Sequence, residues 1–79
     1  MKIYWDGKSK NIIGPRVRAI RLSYETPITQ LQLAQRLQLA GYEIDRLAIV
    51  RIENGKRFVP DYEVKAIALV LGVTPNDLL

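Results

Sequence analysis

Apolar residues recur at helical spacing in five stretches of the chain, and residues that favour helix ends separate these stretches. The first stretch follows Gly14-Pro15, where proline is tolerated because an N–H in the first helical turn has no partner within the helix. The positions predicted to face the core are Ile13, Val17, Ile20 and Tyr24. The arginines predicted to face solvent are Arg16, Arg18 and Arg21.

A second helix is predicted to begin after Thr29, because Thr29 and Gln32 have the spacing of a capping box. Ile28 can pack on Leu33 across this helix start as a hydrophobic staple. The residues predicted to face inward are Leu33, Ala34, Leu37 and Ala40. The helix is expected to end at about Gly41.

The third predicted helix begins after Asp45, whose carboxylate suits the N-cap position, and ends at Asn54-Gly55. Ile49 and Ile52 are predicted to pack on the core, and Ile44 can contact Ile49 just before the helix begins. The opposite edge contains Arg46, Leu47, Val50, Arg51 and Asn54. A short helix with one apolar edge and two arginines on the other indicates a surface that binds a partner.

A fourth helix is predicted to begin at Pro60 or Asp61 and to end at Gly72. Its inner stripe is predicted to contain Val64, Ile67, Ala68 and Leu71. Thr74 and Asp77 then have capping-box spacing, which predicts a short fifth helix.

Two leucines, Leu78 and Leu79, close the sequence. They are predicted to pack on the core of their own chain, and a contact between two copies is the alternative. Five helical patterns and no strand pattern predict an all-α fold. With 79 residues the chain is expected to form one domain that buries about two-thirds of its unfolded surface.

The composition narrows the chemistry that the chain can perform. It contains no Cys and no His, so disulfides, thiolate metal sites and the commonest general base are excluded. An enzyme, a metal, a cofactor and a small-molecule ligand are therefore not expected. No apolar run approaches the ~18 residues of a membrane span, and the absence of Cys fits a reducing compartment, so a cytoplasmic protein is expected.

Basic residues are concentrated in two segments of a chain whose net charge is +4. Residues 1–24 contain six Lys or Arg against one Asp, and residues 45–59 contain four against two acids. Residues 1–11 show no helix period and are predicted to be an N-terminal arm, in which Tyr4 and Trp5 cover the core edge rather than stack on a base. If the two basic segments converge, they form a footprint for phosphates; otherwise they are solvated faces.

The order of these motifs is similar to that of a known family. Thr29-Gln30 and Leu33-Ala34 open one helix, and Ile52-Glu53-Asn54-Gly55-Lys56-Arg57 closes the next. Ala68, Leu71, Gly72 and Val73 match the end of the same pattern. The chain resembles the helix-turn-helix domain of the phage repressor and Cro family, also called the xenobiotic response element family, over residues 12–79.

The resemblance implies a five-helix, lambda-repressor-like domain whose third helix enters the major groove of double-stranded DNA. The positions that match base-reading residues of the family are Arg46, Leu47 and Arg51, and Val50 is a further candidate for groove contact. The positions that match phosphate-binding residues are Gln30, Asn54, Lys56 and Arg57. Arginine can bind guanine O6 and N7 with two hydrogen bonds, and Leu47 can contact a thymine methyl group.

Two features depart from the family pattern. Between Leu37 and Ile44 the chain has several more residues than the compact family turn, which predicts an extended connection between the second and third helices. Leu47 and Val50 are also aliphatic where relatives usually carry polar groups, and such residues equally suit a protein-binding groove.

The sequence therefore predicts a sequence-specific DNA-binding transcriptional regulator. We expect a bacterial or phage repressor that is associated with the nucleoid and that binds a palindromic operator as two copies. The alternative is a protein-binding regulatory or antitoxin-like module that uses the same surface. Glu53 is the acid inside the motif, and it is expected to bond locally or to pair with an arginine rather than to act as a base.

Overall fold

The computed structural model of the chain describes residues 9–79, which form five α-helices joined by loops. The helices are α1 (Gly14–Ser23), α2 (Gln30–Leu39), α3 (Arg46–Glu53), α4 (Asp61–Leu71) and α5 (Pro75–Leu78). No sheet forms among these residues, so the all-α prediction is confirmed for them. Tyr4 and Trp5, with their predicted contact at the core edge, lie outside the described residues.

The predicted caps define where α2, α3 and α5 begin. The Thr29 hydroxyl accepts a hydrogen bond from the Gln32 N–H at 3.0 Å, and the Gln32 side chain accepts one from the Thr29 N–H at 2.9 Å. Oδ1 of Asp45 accepts the Ala48 N–H at 2.8 Å. These bonds satisfy N–H groups that have no partner within their own helix. The predicted starts of α2 and α3 are therefore confirmed.

The cap of α5 depends on a carboxylate that receives two hydrogen bonds. The Thr74 N–H donates to Oδ2 of Asp77 at 2.8 Å, and the Thr74 hydroxyl donates to the same oxygen at 3.0 Å. The backbone hydrogen bond, followed by the hydroxyl bond, lowers the pKa of Asp77 below its usual value. The charged form of Asp77 thus stabilises this short helix.

The core consists of the apolar stripes of the five helices. The predicted inward residues that are buried are Ile13, Val17, Leu33, Ala34, Leu37, Ile49, Ile52, Val64, Ile67, Ala68 and Leu71. Ile28, Ile44, Ala66 and Leu78 are buried with them. Ile20 and Tyr24 are half-buried and pack against this cluster.

The predicted burial is wrong for Ala40 and Arg21, and it is right for only one of the two C-terminal leucines. Ala40 is exposed because it lies at the C-cap of α2, where the chain leaves the helix. Arg21 was predicted to face solvent but is buried. Leu78 packs in the core as predicted, whereas Leu79 is 57% exposed.

The connection between α2 and α3 comprises residues 40–45, so the longer connection that the sequence predicts is present. The Tyr42 N–H donates to the Leu37 carbonyl at 2.9 Å, and the Gln38 side chain donates to the Ile44 carbonyl at 3.3 Å. Ile44 is fully buried at the end of this connection. The added residues are therefore fixed to α2 and to the core, and they hold α3 against α2.

Two longer-range hydrogen bonds attach the first helices to the end of α4. The Tyr24 hydroxyl donates to the Leu71 carbonyl, and the Arg36 guanidinium donates to the Val70 carbonyl at 3.2 Å. α1 packs on α3, α4 and α5, and α2 packs on α3 and α4. As a result α3 lies between α1 and α2 with one of its edges open to solvent.

Within residues 9–79, no helix is both long enough and apolar enough to cross a bilayer. In the same part of the chain, no three His, Cys, Asp or Glu side chains are grouped as metal ligands.

Candidate nucleic-acid interface

The two edges of α3 differ in burial as its sequence pattern predicts. Ile49 and Ile52 are fully buried on the inner edge. Arg46, Leu47 and Arg51 are exposed on the outer edge, and Leu47 is 55% exposed. Val50 is half-buried. The three residues predicted to read bases therefore lie on the accessible side of one rigid helix.

The end of α3 presents two further candidate residues. Asn54 is the C-cap, and both Asn54 and Lys56 are exposed. The Lys56 N–H donates to the Arg51 carbonyl at 2.7 Å, which returns the chain towards the last turn of the helix. Gly55, between them, has a φ of +73°, a conformation that favours glycine. The loop thus places Asn54 and Lys56 directly beyond the outer edge of α3.

Residues 9–11, which the sequence assigned to the arm, hold this loop. The Lys10 N–H donates to the Gly55 carbonyl at 2.8 Å. The Asn11 amide donates to the carbonyl oxygens of Ile52 at 3.1 Å and Arg57 at 2.9 Å. Oδ1 of Asn11 accepts the Gly14 N–H at 2.8 Å, which joins the start of α1 to the end of α3. This role of Asn11 was not predicted from the sequence, although an Asn three residues before Gly14 is a local signal of a cap.

Arg21 and Glu53 join α1 to α3 on the buried side. Nε of Arg21 donates to Oε2 of Glu53 at 2.8 Å, and Nη2 donates to Oε1 at 3.0 Å. Nη1 of Arg21 donates to the Ile28 carbonyl at 3.0 Å. Arg21 follows Val17 by four residues and so shares its inward face. The expectation that Arg21 faces solvent is wrong because α3 places a carboxylate opposite it, and the expectation that Glu53 pairs with an arginine is confirmed.

Gln30, a predicted phosphate-binding residue, is connected to the same carboxylate. Its Nε2 donates to Oε1 of Glu53 at 3.2 Å, and the side chain is half-buried rather than free in solvent. This bond brings the first turn of α2 to the end of α3. Helix geometry leaves the Gln30 and Leu31 N–H groups without partners inside α2.

Arg57 was also predicted to bind phosphate, and its guanidinium contacts an acid on α4. Nη1 of Arg57 donates to Oε1 of Glu63 at 2.7 Å, and Nη2 donates to Oε2 at 3.3 Å. Nη1 also donates to the Phe58 carbonyl at 3.1 Å. The hydrogen bond that Arg57 donates to Glu63 is the main reason that the pKa of Arg57 is raised. The positive charge of Arg57 is therefore balanced by Glu63, whereas the exposed Lys56 forms no ion pair among residues 9–79.

The fold thus brings most of the predicted residues to one surface. The outer edge of α3 supplies Arg46, Leu47 and Arg51, and its C-terminal end supplies Asn54 and Lys56. The first turn of α2 reaches the same end through Gln30. The arrangement offers donors that can bind phosphates beside a helix whose arginines can reach base edges.

The chain is similar to the crystal structure of C.AhdI, the restriction-modification controller protein from Aeromonas hydrophila. The TM-score is 0.71 at 25% sequence identity, and the match covers 85% of this chain and 87% of that chain. Neither a family model nor a curated protein matches the chain. The structural match confirms the helix-turn-helix fold that was predicted from the order of the motifs.

Proposed function

We propose, on the premise that this chain has the helix-turn-helix fold of the phage repressor and Cro family, that it is a sequence-specific DNA-binding transcriptional regulator. The observation that carries the proposal is the outer edge of α3. It is exposed and carries two arginines, while its inner edge is fully buried in the core. A helix anchored in this way can enter the major groove without loss of its packing.

In the proposed complex, α3 reads the base edges. Arg46 and Arg51 each have the planar donor pattern that matches guanine O6 and N7. Leu47 contacts a thymine methyl group, and the half-buried Val50 contributes at the margin of the same surface. Because aliphatic side chains lie between the two arginines, α3 favours a DNA site that contains both thymine and guanine.

Phosphates are held at the end of α3. Lys56 supplies charge, Asn54 supplies an amide, and the first turn of α2 supplies N–H groups beside Gln30. The bond from Gln30 to Glu53 fixes this turn relative to α3, so the phosphate contacts set the depth at which α3 enters the groove. Arg57 takes part only when it is released from Glu63.

Two copies would bind a palindromic operator, because one such domain makes a small interface with DNA. A groove of about 400 Å³ between α4 and α5 is a candidate surface for the second copy. Its lining residues are Val59, Asp61, Val64, Lys65, Pro75 and Leu79. As a repressor, the protein would act by covering a promoter. It would then be associated with the nucleoid in the cytoplasm.

Selection from a random DNA library at physiological salt tests the proposal. The expected result is enrichment of a short palindromic site by the full chain. The matched control is Arg46→Ala/Arg51→Ala, which should select no site while its helical content and melting temperature stay close to those of the parent. If the parent chain enriches no sequence, the proposal is wrong.

A protein-binding regulatory or antitoxin-like module is the second candidate, because the large apolar side chains of Leu47 on α3 and of Leu79 after α5 are both exposed. Salt dependence separates the two candidates. DNA binding through several phosphates weakens steeply as salt rises, whereas an apolar protein contact does not. Binding of a protein partner with little salt dependence, together with no DNA selection, would favour this second function.

A further inference from the structure

Arg57 and Glu63 form a bidentate ion pair at the margin of the proposed DNA surface. Both carboxylate oxygens of Glu63 accept from the guanidinium, at 2.7 and 3.3 Å, and the Phe58 carbonyl accepts a third bond. The Arg57 side chain is 28% exposed and the Glu63 side chain 12%. A planar guanidinium binds a carboxylate and a phosphate with the same pair of donors. Glu63 therefore occupies the donors that a phosphate would use.

The neighbouring residue Lys56 provides the contrast. Its side chain is exposed, and no carboxylate forms an ion pair with it among the described residues. Lys56 and Arg57 are adjacent in sequence and leave the same end of α3, but the charge of Arg57 is balanced by Glu63. Only a cation whose charge is free displaces counterions from DNA when it binds a phosphate.

We propose that Glu63 competes with DNA phosphate for Arg57 and thereby limits the sequence-independent affinity of this surface. The proposal rests on the proposed DNA-binding function. In the parent chain Arg57 stays on Glu63, and the phosphate contacts come from Lys56, Asn54 and the start of α2. Glu63 thus sets the number of phosphates that the loop between α3 and α4 can hold.

The position of Glu63 supports this role. It lies in the first turn of α4, and Arg57 lies in the loop that precedes that helix, so the pair spans the loop. The Arg57 carbonyl is held separately by the Asn11 amide. The backbone at Arg57 therefore has its own anchor, and loss of the Glu63 charge frees the guanidinium without loss of the loop.

The experiment measures binding of the full chain to a labelled duplex of random sequence between about 50 and 200 mM salt, where counterion release dominates affinity. Glu63→Gln keeps the shape of the side chain and removes its charge. We expect this variant to bind several-fold more tightly at low salt. The slope of log affinity against log salt should steepen by about 0.9, the value for one added phosphate contact.

The double variant Glu63→Gln/Arg57→Gln identifies the cation that is released. Its salt slope should return to that of the parent chain. Glu25→Gln is the matched control, because it removes an exposed acid in the loop after α1 that forms no ion pair with Arg57. This control should tighten binding less than Glu63→Gln and leave the salt slope unchanged.

Arg57→Gln alone tests the proposal even if Glu63→Gln proves unstable. The parent slope should persist in Arg57→Gln, because Arg57 holds no phosphate in the parent chain. A slope that is shallower by about 0.9 would overturn the proposal, since Arg57 would then already bind DNA. A Glu63→Gln slope equal to that of the parent would overturn it as well. If the parent chain binds no DNA at any salt concentration, the proposed function itself fails.

Discussion

Arg21 on α1 and Glu53 on α3 form a buried ion pair through two hydrogen bonds, from Nε to Oε2 at 2.8 Å and from Nη2 to Oε1 at 3.0 Å. Their side chains are 8% and 3% exposed. Gln30 on α2 donates to the same carboxylate. Glu53, in the last turn of α3, thus fixes that helix to both preceding helices. This contact therefore helps to set the orientation of the outer edge of α3.

Loss of one partner should destabilise the fold strongly. Arg21→Met or Glu53→Leu leaves the opposite charge buried and unpaired, so we expect a loss of about 3–5 kcal/mol in the free energy of unfolding. The double variant should lose much less than the sum, because apolar residues of similar volume can replace a buried ion pair. Urea unfolding measures all three.

Arg18→Met is the control for that series, because Arg18 is exposed on the same helix. It should change the free energy of unfolding by no more than about 0.5 kcal/mol. Single variants at Arg21 and Glu53 that are as stable as Arg18→Met would show that the ion pair has no structural role.

Arg51 and Lys56 should contribute to DNA binding in different ways. We expect Arg51→Ala to reduce affinity for the selected site by about 1–3 kcal/mol and to relax preference at one base pair. Lys56→Ala should weaken binding to all sequences alike and make the salt slope shallower by about 0.9. Competition binding with single-base variants of the site separates the two effects. Equal weakening on every duplex by both variants would remove the base-reading role of Arg51.

Substitutions on the two edges of α3 should have different effects, on the stability of the fold at the inner edge and on DNA recognition at the outer edge. Ile49→Ala truncates a fully buried side chain, so we expect a loss of about 2–5 kcal/mol in the free energy of unfolding. Leu47→Ala, on the exposed edge, should stay within about 0.5 kcal/mol of the parent and should alter only the selected DNA site. An unchanged melting temperature for Ile49→Ala would mean that the buried edge does not hold the helix.

Gly55 and Gly41 offer a matched test of the contact between the N-terminal residues and the α3–α4 loop. Both have positive φ, +73° and +95°, so alanine at either position should cost about 1–2 kcal/mol. A Cβ at Gly55 would also overlap the side chain of Ser9, whereas a Cβ at Gly41 would meet no neighbouring atom within 4 Å. Thermal or urea unfolding should therefore show a larger loss for Gly55→Ala.

A Ser9→Gly background refines that comparison. Removal of the Ser9 side chain should bring the cost of Gly55→Ala close to that of Gly41→Ala, because only backbone strain then remains. An equal cost for the two alanine variants in the parent background would indicate that Ser9 does not pack against the loop.

The sequence by itself determined where the helices begin and end. The caps at Thr29 and Asp45 act between residues three apart, so their spacing is visible along the chain. The inward stripe of each helix is equally local, because helical period alone puts Ile49 and Ile52 on one edge. The exposure of Arg46, Leu47 and Arg51 follows from the same period, and the structure agrees.

Only the tertiary structure decided which charged and polar side chains are available at that surface. Arg21 looked exposed because a charged residue at a helix edge is usually solvated, and its partner Glu53 is 32 residues away in the sequence. Asn11 reaches carbonyl oxygens 41 and 46 residues away, and Glu63 comes to Arg57 only because the loop folds back on α4. Helical period determines the face of the helix on which a side chain lies. Whether its charge is paired depends on which side chains of the other helices pack against that face.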